Sequence, residues 1–133
     1  MTTEQKKEAV AILYDAIEQH GLVQTLHSVF GGKLPVSIPL SRVACETEVA
    51  EMELSVRAYN CLRRANITTV GELADLAMDG RINQLRNMGI KTIREIQTKL
   101  LCFAYHSAPT AWRKEFIEEL INANLSRGAK SGK

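Results

Sequence analysis

Cys45, Cys61 and Cys102, with His20, His27 and His106, are the side chains best able to attack an electrophile or bind a soft metal in this chain of 133 residues. Their spacing suits neither task. No CxxC, HExxH or HxH pair occurs, no carboxylate falls at a ligand interval, and GxSxG, Walker and GxGxxG patterns are missing. The expectation is a non-enzymatic protein with reduced thiols, no metal and no cofactor. A repair lyase or nuclease would need an active-site Lys near an Asp, or clustered metal carboxylates, and neither can be assigned.

What remains is the chemistry of cations and exposed peptide groups toward anions. Behind Ser55, read as an N-cap, Arg57, Asn60, Cys61 and Arg64 recur at i, i+3, i+4 and i+7. They are expected on one helix face, with Val56, Tyr59 and Leu62 packing inward. An Arg beside an Asn suits the narrow minor groove of A·T tracts, where negative potential concentrates; the alternative is a solvated Arg. Further on, Gly89 removes a Cβ at a helix start, and Lys91 and Arg94 add charge. Helix-start amides are unpaired and partly positive, so such a turn admits a phosphate.

The elements that must position these groups form an internal repeat. A shift of 23 residues lays Leu62–Leu73, LRRANITTVGEL, on Leu85–Ile96, LRNMGIKTIREI, with identities at Leu62/Leu85, Arg63/Arg86, Ile67/Ile90, Thr69/Thr92 and Glu72/Glu95. Asn66 and Gly89 both tolerate left-handed backbone, and Thr followed three residues later by Glu predicts a capping box in each copy. Each copy reads as a helix–hairpin–helix unit, the second suited to a phosphate and the first, with Thr68 and Gly71 in place of Lys91 and Arg94, mainly structural. Two αα-hairpins packed for their own sake are the alternative.

Charge divides along the sequence although the total is only +2. Residues 1–52 carry net −3, residues 53–107 net +3 and residues 108–133 net +2. Ala9, Val10, Leu13, Ala16 and Ile17 predict an amphipathic helix ended by Gly21; Leu22, Leu26, Val29 and Phe30 predict a second, stopped at Gly31-Gly32. Pro35, Pro39 and the acidic run from Cys45 to Glu53 read as a connector over 31–52. Trp112, Phe116, Ile117, Leu120 and Ile121 predict a C-terminal helix that covers the central core or offers a face to a partner, and Arg127–Lys133 reads as a solvated tail. The resulting expectation is an all-α fold, a compact bundle of short helices built from two helix–hairpin–helix-like units with extra amphipathic helices at both ends. It divides into an extension and connector over 1–50, a module over 51–107, and a helix with a basic tail over 108–133. The longest uncharged stretch falls short of the roughly 20 apolar residues a membrane span needs, and the N-terminus has no signal-like apolar region, so a cytoplasmic protein is expected.

Glu53–Leu73, ELSVRAYNCLRRANITTVGEL, with Leu85–Leu100, LRNMGIKTIREIQTKL, resembles the C-terminal domain of the bacterial RNA polymerase alpha subunit. The likeness rests on V-R-x-x-N-C-L followed by N-[LM]-G-x-K-[ST]-[IL]-x-E-I. It implies a compact helical module that binds A·T-rich double-stranded DNA through the minor groove and backbone and touches sigma factors and activators. It further implies Arg57 in the groove with Asn60 and Cys61 beside it at the backbone. Gly89, Lys91 and Thr92 would form the phosphate-contacting turn and helix start, Asn87 would precede them, and Glu95 would match an acidic position used toward sigma. Tyr59 stands where the family has a small residue, Met88 replaces a Leu, and Ile90 replaces a Lys, which lowers the local charge and predicts weak DNA binding. The family's amino-terminal assembly part has no room in the first 52 residues, so a stand-alone relative is expected. Two functions follow: a DNA-binding transcription regulator, or a module docking on RNA polymerase, sigma factor or an activator without significant DNA binding.

Overall fold

Capping residues and glycines set most of the helix limits. The computed structural model describes residues 2–85 and 88–131, with side chains through 124. Thr2 accepts from Gln5 N (3.1 Å) and its own N–H donates to Gln5 Oε1 (2.9 Å), a capping box that opens α1, Thr3–His20. Gly21, at φ 93°, separates it from α2, Leu22–Val29. After α3, Arg42–Glu46, and a 3₁₀ turn at Val49–Met52 come α4, Val56–Arg64, and α5, Val70–Met78. A second 3₁₀ turn, Arg81–Gln84, precedes α6, Ile90–Ser107; a third, Thr110–Trp112, leads into α7, Arg113–Ser131. The fold is all-α, 74% helical, with no strand among the described residues.

Two apolar clusters share α6. Val49, Met52, Leu62, Leu73, Ile82 and Ile96 build the first, under the repeat. The second joins Val10 and Ile17 of α1, Leu26 of α2, Phe116, Ile117 and Leu120 of α7, and Leu101, Ala104 and Tyr105 of α6. The successive buried residues Leu100 and Leu101 face different clusters, so one helix serves as a wall of both. Each fully buried Leu or Ile contributes about 1.5–3 kcal/mol, enough for α6 to hold the two halves in fixed register.

Three expectations are corrected. The stretch 31–52 is no plain connector: Ser41 caps α3, Ala44, Val49 and Met52 are buried, and Val49 N donates to Thr68 O (2.9 Å) while Val70 N donates to Thr47 O (2.8 Å). The acidic run hides the pattern because its apolar residues are one or two per turn. Helix α7 does not cover the core under the repeat but builds the second cluster, and Trp112 is 61% exposed because it lies in the turn before the helix. Most of the expected tail is helical as well, since α7 continues through Ser131; Arg, Ala and Lys propagate a helix readily. Gly132 and Lys133 lie outside the described residues.

Candidate nucleic-acid interface

The turn of the first repeat copy is closed by its own residues. Helix α4 is capped at Ala65, and Asn66 turns left-handed at φ 62°. There Asn66 N donates to Arg63 O (3.0 Å) and Ile67 N to Leu62 O (3.0 Å), the pairing of a Schellman motif. Glu72 Oε1 then accepts from Thr68 N (3.2 Å), Thr68 Oγ1 (2.9 Å), Thr69 N (3.0 Å) and Thr69 Oγ1 (3.1 Å), while Glu72 N donates to Thr69 Oγ1 (3.2 Å). These donors, the Thr68 hydroxyl first, lower the Glu72 pKa below the usual 4.5. A carboxylate already occupies the positive end of α5.

The second copy departs from the expected geometry. Gly89, not Thr92, is the N-cap of α6, at φ −83° and ψ 173°, so the expected left-handed conformation is absent. The helix begins three residues earlier than in the first copy, and Thr92, only 7% exposed, lies inside its first turn. The predicted Thr92–Glu95 capping box does not form. Instead Glu95 reaches across 40 residues of sequence: its Oε2 accepts from Ser55 N (2.7 Å) and its Oε1 from Ser55 Oγ (2.8 Å). Helix α6 has no side-chain cap, and a Cβ built on Gly89 would meet nothing within 4 Å. Its first amides face outward with the partial positive charge of an 18-residue helix behind them.

The Ser55–Glu95 pair joins the start of α4 to the second turn of α6. Ser55 Oγ also accepts from Ala58 N (3.2 Å), so one serine caps α4 and holds it to α6. Arg57 lies two residues beyond this joint. Lys91 lies one turn before Glu95, about 6 Å along the helix axis. Arg57, Gly89 and Lys91 are all exposed, and neither cation is in an ion pair among the described residues. Asn60, one turn after Arg57 on α4, is half-buried.

Other expected site residues stand differently. Cys61 is 4% exposed and packs inward with Ala58 and Leu62, whereas Val56, expected inside, is 77% exposed. Residues 58, 61 and 62 form the buried stripe of α4, with Ala58 and Leu62 in the first cluster; this removes the Cys61 thiol as a surface contact. Thr92 retains a helix-start amide but not an open side chain. Glu95, expected to face sigma, is engaged within the protein. Asn87 lies outside the described residues. Sequence reading found the Ser55 cap but not its bond to Glu95, for which no local signal exists.

Comparison with known proteins falls on this same region. Residues 40–101 match the family of the C-terminal domain of the bacterial RNA polymerase alpha subunit. The alpha-type segment is 49% identical over 57 residues to the DNA-directed RNA polymerase subunit alpha of Clostridium perfringens (strain 13 / Type A), a stretch that makes up 43% of this protein and 18% of that one. Against the same subunit of Clostridium beijerinckii (strain ATCC 51743 / NCIMB 8052) it is 51% identical over 55 residues, 41% of this protein and 17% of the relative. The matched stretch thus spans under a fifth of the length of these relatives. No solved structure matches it significantly. The family match begins at residue 40, before the expected boundary at 51, in agreement with the packing of the Val49–Met52 turn on the repeat.

Proposed function

We propose that the alpha-type segment is a non-enzymatic DNA-binding module that regulates transcription by weak binding to A·T-rich duplexes. Arg57 enters the minor groove with Asn60 beside it, while Gly89, Lys91 and the amides of Ile90 to Thr92 hold an adjacent phosphate. Glu95 acts as a positioning residue that sets α4 against α6. The observation that carries this reading is the Ser55–Glu95 joint, which ties the start of α4, two residues before the exposed Arg57, to the helix turn that follows the exposed Lys91. Open space around Gly89 adds to it: nothing inside the fold needs a missing Cβ there, whereas an approaching phosphate would. The likeness to the alpha subunit supports RNA polymerase, a sigma factor or an activator as neighbours on the promoter.

Fluorescence anisotropy with an A-tract duplex and a G·C duplex tests the reading. Arg57→Ala should weaken A-tract binding about tenfold and erase the preference, a loss of about 1.4 kcal/mol. Lys91→Ala should weaken both duplexes alike and reduce the log–log salt slope by about 0.9. Unchanged binding by Arg57→Ala would refute it.

A protein-docking module without DNA binding is favoured by one separate observation, an apolar groove between α1 and α7 lined by Ala9, Ile12, Leu13, Ala16 and Ile121, with Ile12 68% exposed. Under that reading Ile12→Glu abolishes recovery of RNA polymerase in pull-downs treated with nuclease, and Arg57→Ala leaves recovery intact.

A further inference from the structure

A cleft of about 680 Å³ lies between α2, the 32–36 loop, the Arg81–Gln84 turn and the middle of α6. We propose that it binds a phosphorylated small molecule of mononucleotide size. Its cations come from distant parts of the sequence: Lys33 from the loop, Arg94 from α6, with His27 of α2 beside them. No Asp or Glu lines it among the described residues, and neither Lys33 nor Arg94 is in an ion pair among them. Lys33 is moreover the only Lys or Arg between Lys7 and Arg42, in the acidic part of the sequence. Like charges brought to one cleft with no internal counter-ion leave an anion as their natural complement.

The remaining lining suits an organic phosphate better than a bare ion. Arg94, Gln97 and Thr98 present polar groups from one face of α6, Asn83 faces them, and Val23, Leu34 and Val36 supply an apolar floor. The volume falls in the range of small-ligand sites, roughly 300–1,000 Å³, and exceeds what inorganic phosphate needs. The loop that carries Lys33 is fastened at both ends. Gly32 N donates to His27 O (2.8 Å) at the end of α2, and Asn124 Oδ1 of α7 accepts from Val36 N and Ser37 N (3.0 Å each). Little ordering is therefore required on binding. The site belongs to the packing of the appended α2 and its loop against the alpha-type segment, and does not depend on Arg57 or Gly89.

Amide NMR titration of the full-length protein with AMP, and in parallel with inorganic phosphate, tests the proposal. Shifts should cluster at Gly32, Lys33, Arg94 and Thr98, with AMP binding more tightly than phosphate. The double substitution Lys33→Ala, Arg94→Ala should weaken AMP about tenfold or more while leaving thermal unfolding unchanged, since both side chains are exposed. Arg57→Ala should leave the AMP response intact, which separates this site from the DNA-binding reading. No response to millimolar AMP, or an equal response in the double variant, would overturn the proposal. Loss of duplex binding in the double variant with no AMP response would overturn it too and assign the cleft to the DNA backbone.

Discussion

The two repeat copies share five residues of twelve and use them for different ends. In the first, Thr69 caps α5 and Glu72 accepts from both Thr68 and Thr69, so a carboxylate of the copy itself sits at the helix start. In the second, the matching Thr92 is buried in the helix, the matching Glu95 is drawn to Ser55, and the start of α6 is left without a side-chain cap. The matching positions Gly71 and Arg94 diverge in the same sense: a Cβ on Gly71 would lie 3.0 Å from Cys45 O, whereas Arg94 lines an open cleft. One copy spends its Thr and Glu on its own helix start, and the other sends them elsewhere and leaves its helix start open. A change in the first copy should therefore move folding, and a change in the second should move binding.

The largest expected effect is that of Gly71→Ala, because its Cβ meets the Cys45 carbonyl and Cβ, backbone-anchored atoms that cannot swing away. Chemical denaturation should show a loss of about 1–3 kcal/mol, with A-tract affinity unchanged once the protein is folded. Next comes Glu95→Ala, which frees α4 from α6. It should cost about 1–2 kcal/mol for two charge-assisted hydrogen bonds at a partly exposed site, and it alone should lower both stability and duplex binding. Thr69→Ala removes a cap and should cost about 1 kcal/mol with no effect on DNA.

Gly89→Asp sharpens the contrast most, since its two effects have opposite sign. An N-cap carboxylate should stabilise α6 by about 0.5–1 kcal/mol while repelling phosphate, so melting temperature rises as A-tract affinity falls several-fold. The smallest effect is acid-linked. Hydrogen bonds depress the Glu72 pKa below 4.5 in the folded protein, so its contribution is present above that value and fades as pH falls through the lowered one. The stability difference between the parent and Glu72→Gln, measured by denaturation at neutral pH, should shrink steadily below about pH 4.5. A difference that persists at pH 2 would contradict the assignment.

The helical class, the repeat and the first capping box were legible because each rests on contacts between near neighbours. Gly21 and the pair Gly31-Gly32 end α1 and α2 as expected, for the same reason. The second helix start was not legible: Thr92-x-x-Glu95 has the form of a capping box, and only the approach of Ser55, 40 residues away, decides where that carboxylate goes. Cys61 was misplaced because a 3.6-residue period assigns residues to a face without saying which face is inward; the packing of Ala58 and Leu62 into the first cluster settles that. The role of residues 41–52 was hidden because Ala44, Val49 and Met52 are too sparse to show a period, though Val49 and Met52 fill the base of the first cluster. At the other end, the apolar spacing of α7 was plain, but not that α1, α2 and the far half of α6, rather than the core under the repeat, would receive it.

The claim on which the functional account turns is that the starts of α4 and α6 form one DNA-facing surface from which the start of α5 is excluded. A backbone amide NMR titration of the protein with an A-tract duplex tests it directly. Shifts at Arg57, Asn60 and Gly89 to Thr92, with Asn66 to Glu72 silent, are the predicted result; a response centred on Asn66 to Glu72, or none at all, would contradict it.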